Sequence, residues 1–131
     1  MGETRKKSAE MIVDTDIFID FFRGQQKAID YFKENQDTVI FSAITEAELL
    51  SGKECDNTAD REKILHFLSQ FEKIPVDNPL VQIAADFRRK YAISLPDSII
   101  AASAHVKHIQ LITRNSKDFG KIHEITVKKP Y

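Results

Sequence analysis

Four acids stand where a strand would end or a helix begin: Asp14, Glu48, Asp97 and Asp118. Asp14 follows the apolar run Met11-Ile12-Val13. Glu48 lies one to two turns beyond Val39-Ile40-Phe41. Asp97 opens an Ala-rich segment after Leu95-Pro96, and Asp118 follows Gln110 to Thr113 in the stretch Thr113-Arg114-Asn115-Ser116-Lys117-Asp118-Phe119. If these segments converge, the carboxylates repel one another, and a hard divalent cation is the usual remedy. Oxygen-only donors favour Mg²⁺ or Mn²⁺ over zinc. His66, His105, His108 and His123 show no metal-ligand spacing, and no Ser–His pair stands out.

Each acid also has a simpler role. Asp14 or Thr15 can cap the next helix. Thr45-Glu46-Ala47-Glu48 fits a capping box in which Glu48 reaches back to an amide. Asp97 after Pro96 fits an N-cap, where the helix dipole favours its charge. Asp118 can close a turn. Singly these roles suffice; jointly, four acids at corresponding places suit them less well.

The elements that would position the acids alternate. Met11–Val13, Val39–Phe41, Ile74–Val76, Gln110–Thr113 and Glu124–Val127 read as short strands. Helices are expected from Ile17 to Arg23, closed by Gly24, and from Gln26 to Asn35. Others run from Ser42, as cap, to Leu50, from Arg61 to Lys73, from Asp77-Asn78-Pro79 through Tyr91, and from Ser98 to about Lys107. Lys53 to Asp60 reads as loop, and Pro75 suggests an edge strand. Alternation of this kind implies right-handed βαβ units and a mainly parallel sheet of about five strands in a three-layer α/β/α domain. In such sheets ligands bind at the carboxyl ends of the strands.

At 131 residues the chain is expected to form one domain over 11–131, with residues 1–10 a disordered tail or cloning remnant. Its 42% hydrophobic and 30% charged residues suit a soluble globular protein. No apolar run approaches the ~20 residues of a membrane span, and the single Cys55 suits a reducing cytoplasm. The net charge of −1 hides an asymmetry. Residues 8–87 carry 7 Lys and Arg against 16 Asp and Glu, a net of −9. Residues 88–131 carry 9 against 3, a net of +6, and the first seven residues add +2. An acidic part holding metal beside a basic part holding phosphates would look like this, and so would an ordinary solvated surface.

Taken in order, Val13-Asp14-Thr15-Asp16, Ser42 to Gly52 around Glu48, Leu95-Pro96-Asp97-Ser98 with the Ala-rich run after it, and Leu111 to Phe119 resemble the four motifs of PIN-domain ribonucleases. The likeness is greatest to the VapC-like toxins of toxin–antitoxin pairs, and it spans nearly the whole chain from Met11. No single motif is specific; four in order are a strong signal.

The resemblance implies metal-assisted hydrolysis of RNA phosphodiester bonds, with Asp14, Glu48, Asp97 and Asp118 as catalytic acids holding one or two Mg²⁺ or Mn²⁺ ions that lower the pKa of a bound water. Relatives carry the fourth acid either where this chain has Asn115 or where it has Asp118; Asp118 is preferred, with Asn115 supporting it. Thr15, Asp16, Thr45 and Thr113 match supporting positions near the metal. Arg88, Arg114 and Lys117 are candidates for gripping RNA phosphates. The resemblance also implies a cytoplasmic enzyme with a cognate antitoxin, a homodimeric state and no membrane contact. Two alternatives stay open. One is a haloacid-dehalogenase-like phosphatase with Asp14 as nucleophile and Asp16 as acid/base. The other is a non-catalytic PIN-like module that binds RNA or protein.

Overall fold

The computed structural model describes residues 10–131. The tail expected at 1–10 therefore lies, apart from Glu10, outside the described residues. Among the described residues five strands form one sheet: β1 Met11–Val13, β2 Val39–Ser42, β3 Glu72–Ile74, β4 Gln110–Ile112 and β5 Val127–Lys128. Their order is β3-β2-β1-β4-β5, and every pairing is parallel. The described residues also form seven α-helices, α1 Thr15–Phe22, α2 Gln26–Glu34, α3 Ala43–Leu50, α4 Thr58–Leu68, α5 Asn78–Tyr91, α6 Leu95–Lys107 and α7 Ser116–Phe119, with a 3₁₀ turn at Lys53–Asp56. The expected three-layer α/β/α domain is present, and its sheet is wholly parallel.

Alternation along the strands splits the core between the two faces of the sheet. Ile12, Ile40, Ile74 and Leu111 point to the layer of α5 and α6, where Leu80, Ala84, Phe87, Ile100 and Ala101 meet them. Met11, Val13, Val39, Phe41 and Ile112 point to the other layer, with Ile17, Phe18, Phe32, Ile64 and Leu68. Central strands covered on both faces read as continuous apolar runs, which is why so short a stretch as Met11–Val13 was recognisable. Phe18 seats α1. It is wholly buried, with ring centroids 4.8 Å from Phe32 and 5.9 Å from Phe41. Truncating it to Ala would cost about 3–5 kcal/mol and would loosen the helix that begins at the acids.

Several boundaries differ from expectation. α6 starts at Leu95, not Ser98, because the Ser94 hydroxyl caps it and accepts from the Asp97 N–H at 3.2 Å. Pro96 then falls in the first turn, where its missing N–H is no loss. Asp97 is thus inside the helix and is not its N-cap. α4 starts at Thr58, not Arg61, because the Asn57 side chain accepts from the Ala59 and Asp60 N–H groups. It stops at Leu68, and Glu72–Ile74 forms the edge strand ahead of Pro75. β4 ends at Ile112, and β5 is Val127–Lys128, not Glu124–Val127. Gly24, at φ 80°, follows the C-cap of α1 in the left-handed conformation that glycine adopts without strain.

Candidate active site

β1 lies between β2 and β4, so the chain winds in opposite directions from it. The carboxyl ends of β1 and β4 flank the topological switch point, where open α/β sheets place their sites. Asp14 sits there as the N-cap of α1, its Oδ1 accepting from the Thr15 N–H at 2.8 Å. Its own N–H donates to the Ile112 carbonyl of β4 at 2.9 Å. Its Oδ2 accepts from the buried Thr113 hydroxyl at 2.7 Å, and Thr113 in turn accepts from the Asn115 N–H at 2.9 Å. Asp14 is therefore both the expected cap and a buried carboxylate tied across two strands.

Glu48 does not close a capping box. The N-cap of α3 is Ser42, whose hydroxyl accepts from the Ile44 N–H. Glu48 is left free to accept from the Thr15 hydroxyl at 2.7 Å. The Thr15 and Thr45 hydroxyls are 2.8 Å apart. A hydroxyl has one proton to give, so Thr45 donates to Thr15 and Thr15 donates to Glu48. Thr15 and Thr45, both buried, thus fix an otherwise exposed carboxylate.

Asp97, in the first turn of α6, is half-buried. Its carboxyl is held above the usual range by burial, and the charges of Glu48, Asp118 and Asp16 push it the same way. Asp118 sits in α7, where Asn115 is the N-cap. The Asn115 Oδ1 accepts from the Asp118 N–H at 3.4 Å and its Nδ2 donates to Asp118 Oδ2 at 3.2 Å. Asn115 thus orients Asp118.

The electrostatics report what this convergence costs. Burial pushes the Asp14 carboxyl up to about 8, with Asp16 and then Asp97 adding to it and the Thr113 hydrogen bond opposing. Asp16 is also raised, first by burial; Arg114 opposes the rise and Asp20 adds to it. Asp16 Oδ1 is buried with no hydrogen-bond partner. A buried orphan oxygen amid carboxylates whose charge is disfavoured by burial and by one another is what a hard cation would relieve. No three His, Cys, Asp or Glu side chains among the described residues already stand as a closed metal cage. The acids share one electrostatic neighbourhood without being drawn together.

Of the proposed phosphate grips, Arg114 lies in the loop between β4 and α7, and its backbone N–H donates to Asp16 Oδ2 at 3.3 Å. Lys117 is exposed on α7. Arg88 spends one N–H on the Ile93 carbonyl at 2.9 Å, which steadies the α5–α6 connection. Two residues passed over in the sequence belong to the surroundings: buried Asp20, one turn beyond Asp16 on α1, and Tyr131, whose hydroxyl donates to it at 2.5 Å. The i, i+4 spacing of Asp16 and Asp20 put both on one helix face, which was the one available signal.

A model of the PIN domain matches residues 11–125. Ribonuclease VapC10 of Mycobacterium tuberculosis is 30% identical in an alignment 128 residues long that covers 92% of each chain. A chain of a toxin–antitoxin complex from Klebsiella pneumoniae has a TM-score of 0.79 at 31% identity, over 93% of this chain and 98% of that one. A chain of DNA-bound VapBC from Salmonella typhimurium has a TM-score of 0.83 over the same shares, and at 21% identity that likeness speaks for the fold alone.

Proposed function

The chain belongs to the PIN domain family, and from that premise we propose that it is the ribonuclease toxin of a toxin–antitoxin pair, an endoribonuclease using Mg²⁺ or Mn²⁺ held by Asp14, Glu48, Asp97 and Asp118. The observation that carries this reading is that Asp97 lies within the field of acids from three other segments, Asp16, Glu48 and Asp118, near the carboxyl ends of the central strands. The unpartnered Asp16 Oδ1 is a further oxygen donor beside them.

A bound divalent cation supplies the positive charge that lets these carboxylates ionise together, and it polarises water and phosphate. The chain does the rest. Thr113 and the Thr15 N–H hold Asp14, Thr15 and Thr45 hold Glu48, and Asn115 holds Asp118. Such anchoring keeps the acids oriented before any ligand arrives, so little reorganisation is left for the reaction itself. Arg114, Lys117 and Arg88 are the proposed contacts to the RNA backbone.

The proposed partner is a cognate antitoxin, as in the toxin–antitoxin complex from Klebsiella pneumoniae that holds a related chain. An open groove of about 590 Å³ borders Glu48, with Ile19, Phe22, Leu49 and Ile64 on its apolar wall. It suits a partner segment laid beside the acids. No helix among the described residues is long and apolar enough to cross a membrane. The proposed setting is the cytoplasm, with the protein as a homodimer.

Membership in the PIN family removes the phosphatase alternative, which required Asp14 as a nucleophile. A non-catalytic binding module has one observation on its side, the lack of a closed acid cage among the described residues. Incubating purified protein with a structured RNA in Mn²⁺ and in EDTA separates the two. The enzyme cleaves only with metal; the module shifts the RNA in a gel and leaves it whole.

A further inference from the structure

Asp20 is a buried carboxylate with a complete set of partners and no assigned role. Its Oδ2 lies 2.8 Å from Arg114 Nε, and its Oδ1 accepts from Arg114 Nη2 at 3.1 Å, a two-pronged fork. The Tyr131 hydroxyl adds a third bond to Oδ2. The Tyr131 ring packs edge-on against Tyr31, with centroids 6.3 Å apart, so the hydroxyl is itself held in place. The Asp20 side chain is 5% exposed whereas that of Arg114 is 47% exposed. The fork engages two of the five N–H donors of a guanidinium, and the remaining edge is left to solvent beside Asp16.

This arrangement is more than charge pairing needs. A surface Arg–Asp pair contributes little, because two flexible side chains must be ordered to make it. Here the ordering is done in advance: the acid is buried, doubly bonded by the arginine and pinned by a tyrosine from beyond β5. The arginine backbone is fixed too, by its N–H to Asp16. The product is a rigid cation at the rim of an acidic cluster, where RNA would otherwise be repelled.

Building on the ribonuclease reading above, we propose that Asp20 and Tyr131 are positioning residues that hold the Arg114 guanidinium as a preformed receptor for a backbone phosphate of the RNA. Arg114 touches the RNA; Asp20 and Tyr131 act through it. Lysine cannot replace Arg114, because a single ammonium cannot both fill the fork and present a second face.

The test is steady-state cleavage of a short fluorescent RNA in Mn²⁺, paired with binding of the same RNA in EDTA read by anisotropy. Arg114→Ala and Asp20→Asn should each raise KM about tenfold, the order expected for one lost charge-assisted contact, and change kcat by less than about twofold. The Asp20→Asn/Arg114→Ala double variant should be no worse than Arg114→Ala alone, since the two act as a unit. Tyr131→Phe should raise KM about threefold, a smaller loss that matches one neutral hydrogen bond, and Arg114→Lys should not rescue. RNA affinity should follow the same order in EDTA. The proposal is overturned if Asp20→Asn and Tyr131→Phe lower the melting temperature but leave KM and affinity unchanged. It is equally overturned if the losses multiply in the double variant. Should Asp20→Asn not fold, Tyr131→Phe decides alone. A wild-type protein inert in Mn²⁺ would count against the ribonuclease reading, and the affinities in EDTA would still decide the role of Asp20.

Discussion

The Thr113 hydroxyl donates to Asp14 Oδ2 at 2.7 Å, joining the carboxyl ends of β4 and β1 across 99 residues of chain. Both groups are buried, and Thr113 also receives the Asn115 N–H. Thr113→Val keeps the shape and removes both roles of the oxygen. An unsatisfied buried group costs about 1–3 kcal/mol, a fall in melting temperature on the order of 4–10 °C for a domain this size. Thr113→Ser should keep most of the stability. Thermal melts in EDTA check this; a valine variant that melts with wild type would show that the bond carries no stability.

The acids set a pH dependence in the metal-free protein. The Asp14 carboxyl is raised from 3.8 to about 8 on folding, chiefly by burial and then by Asp16 and Asp97. The folded state thus favours the protonated form. The stability this contributes is whole below the unfolded value and is lost as pH rises through the folded one. Asp16 and Asp97 shift in the same direction. In EDTA the melting temperature should therefore fall between about pH 4 and pH 8. Asp14→Asn should flatten that fall and raise the metal-free melting temperature near neutrality. Metal should restore wild type by about 2.7 kcal/mol at a hundred times its Kd, and the variant by less. If the variant melts lower than wild type in EDTA at neutral pH, Asp14 serves chiefly as the cap of α1.

Asp118 and Asn115 are separable. Asn115 caps α7 and orients Asp118 from both of its side-chain atoms. Asn115→Ala should reduce kcat about tenfold, the scale of losing a group that orients a ligand, and Asp118→Ala should reduce it further. Rate measurements at saturating Mn²⁺ decide. A larger loss from Asn115→Ala would move the fourth position of the site from Asp118 to Asn115.

Much of this site could be read from local pattern. Asp14 is marked by the apolar run before it, and Asp97 by the Pro–Asp step before an Ala-rich helix. Glu48 was found, but its neighbours suggested the wrong local role. Thr45-Glu46-Ala47-Glu48 has the form of a capping box, yet Ser42 already satisfies the helix start. The true partner of Glu48 is Thr15, 33 residues away. Distance in sequence also hid Asp20 and Tyr131, whose bond spans 111 residues. The ends of α5 and α6 carry left-handed Ala92 and His108 where a glycine would have announced the stop. β3 and β5, at the edges of the sheet, bury less of their side chains than the central strands, so their apolar signal was weak and their bounds shifted.

The antitoxin proposal predicts a small partner that quenches the site. The acidic mouth suits an inserted arginine, which can bind a carboxylate with two parallel bonds. The product of the adjacent open reading frame, co-expressed, should co-purify with the protein and restore the growth of a host that expresses the toxin alone. Co-purification of self-associated protein only, with toxicity unaffected by the neighbour, would count against it.

The central claim is that Asp14, Glu48, Asp97 and Asp118 act together through a divalent cation. Single-turnover RNA cleavage as a function of Mn²⁺ concentration, for wild type and for Asp97→Asn, tests it most directly. Asp97 is the residue to change, because the charges of Glu48, Asp118 and Asp16 all act on it, whereas it caps no helix. The account predicts no cleavage in EDTA, a saturable rise with Mn²⁺ for wild type, and for the variant a melting temperature near that of wild type with a rate lower by about a hundredfold or more, the loss expected on removing one preorganised electrostatic group. Wild-type cleavage that persists undiminished in excess EDTA, or an Asp97→Asn protein that cleaves at the wild-type rate, would contradict it.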